Sequence, residues 1–174
     1  MAATAVAVAT PSDQRAGRYL AFRLGPEEFA VPVGSVREIL GLQPVTTVPH
    51  APAHVLGVLN LRGRIIPVID LRLRCGLLAT PMTERTCIVV VQVSTPTGTP
   101  LPMGLVVDAV QEVTLVTAAE IEDMPVFGDG AAPSYLLGVA KQKEVVRLLL
   151  DIDRLLGATD AGQLASLLGA TSAA

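Results

Sequence analysis

Aromatic residues are scarce in this sequence. Tryptophan is absent from the 174 residues, and only three Phe and two Tyr are present. Proteins that hold single-stranded nucleic acid stack its bases on aromatic side chains, so nucleic acid is not an expected partner. Because 51% of the residues are hydrophobic, a chain of this length can still bury a core, and that core must be mainly aliphatic.

Cysteine and histidine are almost as rare. Cys75 and Cys87 are too few for a disulfide scaffold and have no metal-ligand spacing, so both are predicted to be reduced core residues. His50 and His54 lie four residues apart, but prolines beside them disfavour a helix, and no Cys, Asp or Glu cluster accompanies them. Neither a metal nor a cofactor is therefore expected.

Long uninterrupted hydrophobic segments are also missing. Residues 86–107 carry no charge, but Pro, Gly, Gln and Ser divide them into two predicted strands and a loop, so no membrane insertion is expected. Residues 1–17 lack the basic and apolar regions of a secretion signal and are predicted to be a retained, disordered leader. We expect a cytoplasmic protein whose tail, residues 158–174, forms at most a short amphipathic helix.

Groups arranged for catalysis are not evident. No serine has a nucleophile-elbow context, and the glycines are isolated turn residues rather than a phosphate loop. Asp151 and Asp153, with the two histidines, leave a small β-barrel hydrolase as the rival hypothesis. The preferred role of Asp70 and Asp151 is capping of short helices that end at Gly76 and at residue 157. The sequence therefore predicts that the protein is not an enzyme.

What the sequence does contain is a pattern of short strands. VLGVLNLRGRIIPVIDLR, residues 55–72, predicts two apolar strands, Val55 to Leu61 and Arg64 to Asp70, joined by a tight turn in which Gly63 supplies a positive φ. Pro67 lacks an N–H and is expected at an edge or a bulge. Similar runs along the chain, with frequent Gly and Pro, predict a mostly β protein.

The pattern also repeats. Five residues recur 81 positions later: Gly57, Val58, Arg62, Asp70 and Gly76 correspond to Gly138, Val139, Lys143, Asp151 and Gly157. Upstream, Val33, Val36 and Glu38 correspond to Val107, Val110 and Glu112 at a spacing of 74. The repeat predicts two similar five-stranded SH3-like β-barrels with short helices, at about residues 18–80 and 84–157.

Charge is distributed unevenly. Residues 1–100 carry nine basic and six acidic side chains, whereas residues 101–174 carry four and ten. The asymmetry fits an acidic partner on one face and a basic partner on another, and it equally fits ordinary solvation. Glu38, Arg62 and Arg64 could form a rim that suits a partner helix, around the apolar residues Val33, Val36 and Ile39. The alternative is a structural ion pair above ordinary core valines.

Three segments resemble the CheW-like family in the same order. They are GVLNLRGRIIPVIDLR, MGLVVDAVQEV and YLLGVAKQKEVVRLLLDIDRLL, and the resemblance extends from about Tyr19 to Leu156. The most recognisable part is the Asn60–Gly63 turn followed by Pro67 and Asp70. Since the domain accounts for nearly the whole chain, we expect a stand-alone adaptor of the family rather than the regulatory end of a kinase.

The resemblance implies two intertwined SH3-like barrels without catalytic activity. Its implied role is to couple chemoreceptors, the methyl-accepting chemotaxis proteins, to the histidine kinase CheA at membrane receptor arrays. An adaptor of a parallel pathway that controls pili or surface motility is the alternative within the family.

Site residues follow from the same resemblance. The receptor's cytoplasmic tip would lie in a groove between the barrels that includes Val33, Val36, Glu38, Gly57, Arg62, Leu105 and Asp108. The regulatory domain of the kinase would meet the barrel ends, with Gly63 and Arg64 as the expected contacts. One departure from the family pattern is the second hairpin turn, where residues 141–144 replace the usual Asp or Gly pair.

Overall fold

The chain is built from short strands, as a computed structural model of residues 14–78, 81–94, 98–124 and 133–156 shows. The strands in these ranges are β1 Gly17–Leu24, β2 Glu27–Pro32, β3 Val36–Gly41, β4 Val55–Leu61, β5 Arg64–Asp70, β6 Cys87–Ser94, β7 Pro100–Val107, β8 Ala109–Val116, β9 Ile121–Glu122, β10 Leu136–Gln142 and β11 Val145–Leu150. Two short helices are α1 Leu71–Arg74 and α2 Ile152–Leu156, and single 3₁₀ turns span Val33–Ser35 and Ala118–Glu120. The mostly β prediction is confirmed.

The strands form two sheets that exchange their hairpins. The six-stranded sheet has the order β9-β10-β11-β2-β1-β8, and the five-stranded sheet has the order β3-β6-β7-β5-β4. The β1–β2 hairpin thus lies among strands of the second half, and the β6–β7 hairpin lies among strands of the first. The two sheets therefore do not coincide with the two halves of the sequence, because each half contributes a hairpin to the other.

The exchange is reciprocal and follows the repeat. Val68 of β5 lies opposite Gly104 of β7 in one parallel pair, and Leu149 of β11 lies opposite Ala30 of β2 in the other. Val68 and Leu149 are 81 positions apart, and Ala30 and Gly104 are 74 apart, as in the sequence repeat. Adjacent parallel strands need a long connection, so each such pair joins segments distant in sequence. The internal repeat and the intertwining are confirmed.

The largest apolar core lies between the sheets and contains Phe22, Ile69, Leu71, Val91, Leu105, Leu150 and Leu155. Each sheet also encloses its own cluster, built around Leu59 and Val90 in the five-stranded sheet and around Tyr19 and Leu149 in the six-stranded sheet. The amide of Gln142 in β10 donates to the Leu115 carbonyl in β8 at 3.0 Å, which joins strands near opposite edges of the six-stranded sheet. Both sheets therefore curl into SH3-like barrels.

Two glycines of the repeat lie where another strand is very close. Gly57 and Gly138 each follow a register shift and have φ values of 149° and 158°. A Cβ atom at Gly57 would lie 1.9 Å from the Thr46 carbonyl oxygen, and one at Gly138 would lie 2.8 Å from that of Glu122. The same bulge thus brings a crossing segment against the first strand of each hairpin, and a side chain would separate them.

The end of the predicted leader contacts the rest of the described chain. Arg15 pairs with Asp123 at 3.0 Å, its carbonyl accepts a hydrogen bond from the Tyr19 hydroxyl at 2.6 Å, and β1 begins at Gly17. Residues 14–17 therefore belong to the fold. Residues 1–13, the tail with residue 157, and the loop at 125–132 lie outside the described ranges. No helix in those ranges is both long and apolar enough to cross a membrane.

Both cysteines are free and half-buried. Burial raises the pKa of the Cys75 thiol to about 11, so this sulfur remains protonated near neutral pH. The prediction of reduced cysteines is confirmed, although each retains some exposure.

Helix α1 begins and ends with the predicted residues. The Asp70 carboxylate accepts a hydrogen bond from the Arg72 backbone N–H at 3.0 Å, which is an N-cap. At the other end Gly76 has φ 79° and donates to the Leu73 carbonyl, while Leu77 donates to that of Arg72. These two bonds form a Schellman motif, so the predicted capping role of Asp70 and the C′ position of Gly76 are confirmed.

A buried ion cluster joins the sheets next to this helix. The Arg72 side chain is 1% exposed and donates to both Asp70 oxygens at 2.9 Å and to Asp108 at 2.8 Å. Asp108 lies between β7 of one sheet and β8 of the other, and its second oxygen accepts from the Gly25 N–H at 2.5 Å. We call Asp70, Arg72 and Asp108 the Arg72 cluster. One guanidinium therefore connects the end of β5, the sheet crossover and the β1–β2 turn.

The cluster makes Asp70 more important for stability than a cap would be. Loss of a cap alone costs about 1 kcal/mol, but Asp70→Ala also removes the bidentate partner of a buried guanidinium, for which about 3–5 kcal/mol is expected. The free energy of unfolding from urea titration measures the difference. Asp151→Ala is the matched control, because the Asp151 carboxylate caps α2 at the Arg154 N–H and pairs with the exposed Arg154 side chain, and its loss should cost about 1 kcal/mol. Equal losses in the two variants would contradict a structural role for the cluster.

Candidate functional site

The tip of the β4–β5 hairpin carries an arginine in a left-handed conformation. Leu61 lies opposite Arg64, so Arg62 and Gly63 form a two-residue turn, with φ values of 52° and 87°. Positive φ at both positions is the geometry of a type I′ hairpin turn. The Asn60 side chain accepts the Gly63 N–H at 2.9 Å and fixes the turn further. The sequence prediction assigned the positive φ to Gly63 alone, and Arg62 shares it.

The Arg62 side chain is held by Glu38 of β3. Its two terminal nitrogens donate to the two carboxylate oxygens at 2.6 and 2.7 Å, a bidentate arrangement that fixes the plane of the guanidinium. Arg62 nevertheless remains 72% exposed, and Glu38 is 26% exposed. The hydrogen bonds from Arg62 lower the pKa of the Glu38 carboxyl, and Glu38 in turn raises the pKa of Arg62. Both groups therefore remain charged at neutral pH.

A bulge in β3 adds a second arginine to this region. The pairing of β3 with β6 shifts register between Val36 and Glu38, which leaves Arg37 as the extra residue. Strict alternation would place Arg37 and Glu38 on opposite faces, but both line the same cleft. This explains why sequence reasoning missed Arg37.

The cleft has a volume of about 460 Å³ and lies beside the hairpin turn. We call it the arginine cleft; its lining residues are Arg37, Glu38, Leu61, Arg62, Arg64, Ile66, Val90, Gln92, Pro100 and Pro102. Three arginines meet one carboxylate there, and that carboxylate is engaged by Arg62. Arg37 and Arg64 are exposed and form no ion pair with any described residue. The cleft thus has an excess of positive charge above an apolar floor.

The structure brings together three of the predicted contact residues. Glu38, Arg62 and Arg64 line the arginine cleft, and Gly63 lies in the turn beside it. Val33 and Val36 are half-buried at the 3₁₀ turn before β3, and Val36 packs against the core between the sheets.

Three other predicted receptor residues have structural roles. Leu105 is 1% exposed within the core, and Gly57 is buried against the Thr46 backbone. Asp108 binds Arg72 and the Gly25 N–H. Their side chains or Cα positions make contacts within the chain, and the receptor contacts of Leu105, Gly57 and Asp108 stay predictions.

A second groove lies between the sheets, as the predicted receptor groove would, but it is lined by other residues. It has a volume of about 490 Å³ and is lined by Arg23, Arg85, Cys87, Ala109, Val110 and Gln111. None of the predicted receptor residues lines it. Arg23 also pairs with Glu28 at 3.7 Å, so this groove has one charge already compensated.

The carboxylates that suggested a hydrolase have structural partners. Asp151 accepts from the Arg154 backbone N–H at 3.2 Å, which confirms its predicted capping role. Asp153 is exposed as predicted but also accepts from the Ser94 N–H at 2.9 Å. Within the described part of the chain, no three His, Cys, Asp or Glu side chains are grouped so that they could hold a metal ion.

The pairing of Glu38 with Arg62 can be checked by titration. Because the folded-state pKa of Glu38 is lowered, the ion pair persists above the ordinary glutamate range and is lost as the pH falls through the lowered value. We expect a carboxyl ¹³C NMR titration of Glu38 with a lowered midpoint that returns towards the ordinary value in Arg62→Gln. Arg64→Gln should leave the midpoint low, since Arg64 does not contact Glu38. An unchanged midpoint in Arg62→Gln would show that another group lowers the pKa.

Comparisons with known proteins agree with this geometry. The CheW-like domain family model matches residues 18–160. The chain is 39% identical to a chemotaxis protein CheW of Rhizobium meliloti over 134 residues, which cover 77% of this chain and 83% of that protein. It is 34% identical to a chemotaxis protein CheW of Klebsiella aerogenes, with 82% of each chain covered.

A solved structure resembles the same region. The crystal structure of the scaffolding protein TtCheW from Thermoanaerobacter tengcongensis superimposes with a TM-score of 0.71 at 28% sequence identity, and the match covers 83% of this chain and 95% of that one. With the family match, the exchanged barrels and the Asn60–Gly63 turn, these similarities show that the chain belongs to the CheW-like family.

Proposed function

We propose that the protein is a non-catalytic adaptor that couples chemoreceptors to the histidine kinase CheA. Relatives with over 30% identity across most of the chain are named chemotaxis proteins, and the similar solved structure is named a scaffolding protein. The adaptor works in the cytoplasm, where it is recruited to membrane receptor arrays, and requires no cofactor. Residues 18–157 form its working unit.

The observation that carries this proposal is the exposed Arg62–Glu38 pair. Exposed ion pairs contribute little to stability, typically about 0–1 kcal/mol, so the fold gains little from holding this guanidinium in place. A fixed, solvent-accessible arginine is instead a favourable contact for a partner, because its donor orientation costs little additional entropy on binding. The pair therefore suits a binding surface.

The receptor and the kinase contact neighbouring parts of this surface. In our proposal the receptor tip contacts Val33, Val36 and Arg62, and Glu38 positions Arg62. Gly57, Leu105 and Asp108 act from beneath by fixing the barrels. The regulatory domain of CheA meets the hairpin end of the five-stranded barrel at Gly63 and Arg64. This arrangement lets one rigid hairpin contribute to both interfaces.

Substitutions at Arg62 test the receptor contact. Arg62→Lys keeps the charge but loses the planar fork, so we expect partial loss of binding to a receptor cytoplasmic fragment. Arg62→Glu places a second carboxylate beside Glu38 and should abolish most binding. Lysine tolerates this backbone, since Lys143 at the repeat-equivalent position has φ 58°. Titration of the purified variants against the receptor fragment and against the kinase regulatory domain measures both interfaces.

The matched control for this experiment is Lys143→Glu. It makes the same basic-to-acidic change at the repeat-equivalent turn of the other barrel, and receptor binding should remain close to that of the wild type. Circular dichroism confirms that every variant is folded. Undiminished receptor binding by Arg62→Glu would contradict the receptor contact, and loss of its fold would mean that Arg62 is a structural strut.

A further inference from the structure

We infer that the arginine cleft docks an acidic segment of the kinase regulatory domain, with Arg37 and Arg64 as the residues that recognise its carboxylates. This inference rests on the proposed adaptor function and adds the charge of the partner segment to it. No sequence pattern assigns a binding role to Arg37. It lies in the cleft because of the β3 bulge.

The cleft carries positive charge that its own lining residues do not compensate. Glu38 is the one carboxylate among the lining residues, and both of its oxygens accept from Arg62. Arg37 and Arg64 therefore have no compensating charge on the described residues around them. Exposed like charges that share one concave surface repel each other, and an acidic partner removes that repulsion when it binds.

The floor of the cleft is apolar. Ile66 and Val90 are buried, and Leu61 is half-buried beside them. A partner segment that covers this floor excludes water, and Coulomb attraction between the remaining charges increases as the local dielectric constant falls. An acidic residue next to an apolar one would thus use both features of the cleft.

The wall of the cleft restricts how the segment binds. Pro100 and Pro102 of β7 line it, and the parallel pairing of β7 with β5 begins only at Gly104. A partner strand could extend the sheet at a free edge, but proline provides no N–H for such pairing. The segment is therefore recognised through its side chains rather than by strand addition.

The position of the cleft favours the kinase over the receptor. The cleft lies at the hairpin end of one barrel, where the proposed kinase contacts Gly63 and Arg64 are found, and its volume is about 460 Å³. The proposed receptor contacts Val33 and Val36 do not line it. A loop bearing one or two carboxylates fits the available space.

Charge reversal in the cleft tests the inference. We expect Arg37→Glu/Arg64→Glu to bind the regulatory domain of the cognate CheA roughly tenfold more weakly, mainly through a slower on-rate, while receptor binding is retained. The wild-type on-rate should fall as salt is raised, and that dependence should be much smaller in the double variant. Biolayer interferometry at two salt concentrations measures both quantities.

The matched control is Arg18→Glu/Arg85→Glu, which changes net charge equally at exposed positions outside the cleft and should alter kinase affinity less than about twofold. If the double reversal does not fold, Arg37→Gln/Arg64→Gln provides the same comparison with a smaller expected loss. Failure of the wild type to bind either partner would contradict the adaptor function itself. Wild-type binding with equal affinities for the cleft and control variants, or a loss confined to the receptor, would overturn only the docking inference.

Discussion

The geometry of the whole molecule depends on how one buried guanidinium is neutralised. An arginine that is 1% exposed is stable in the interior only with carboxylates in direct contact, and Arg72 has two of them. Asp70 comes from the end of β5, and Asp108 comes from the link at which the chain leaves one sheet for the other. Hydrogen bonds from Arg72 to the Asp70 carboxylate raise the pKa of Arg72, so the charge persists over the accessible pH range. The two barrels are therefore held in one relative position by a contact that tolerates little displacement.

The two halves of the repeat use arginine in opposite ways. Ile66 and Arg147 are equivalent positions, and Arg147 is buried, where it pairs with Glu28 at 3.1 Å and Glu112 at 3.4 Å and donates to Gln142 at 2.9 Å. Glu112 is the repeat equivalent of Glu38. Glu112 pairs with the buried Arg147, whereas Glu38 pairs with Arg62 at the hairpin tip. Within the described residues, an aliphatic floor at Ile66 thus accompanies the exposed arginines of the cleft. The two halves of the repeat therefore share their backbone pairing but differ in where arginine lies: it is buried at Arg147 in one half and exposed at the arginine cleft in the other.

The residue pattern predicted the local structure well, whereas the exchange of strands followed only from the family resemblance. Both strands of the 55–70 hairpin have the predicted bounds, because apolar runs and a Gly turn are local signals. Spacings of 74 and 81 show which segments are equivalent but not which half pairs with which, since parallel pairing depends on distant residues. Pro67 illustrates the limit: β5 is an internal strand, and the proline is accommodated because pairing with β7 begins one residue later, at Val68.

The sequence does not reveal the environment of a side chain when distant segments decide it. The neighbouring residues do not show that Leu105 packs into the core between the sheets or that Asp108 binds Arg72. Arg37 is directed to the cleft by a bulge that alternation does not reveal. What remains accessible is an arginine that contributes little to folding: Arg62 is 72% exposed, whereas Arg72 is 1% exposed. A buried pair fixes the scaffold because its loss leaves an uncompensated charge, whereas an exposed pair can exchange water for a partner at small cost to stability. The fold therefore separates the charge that maintains the structure from the charges available for binding.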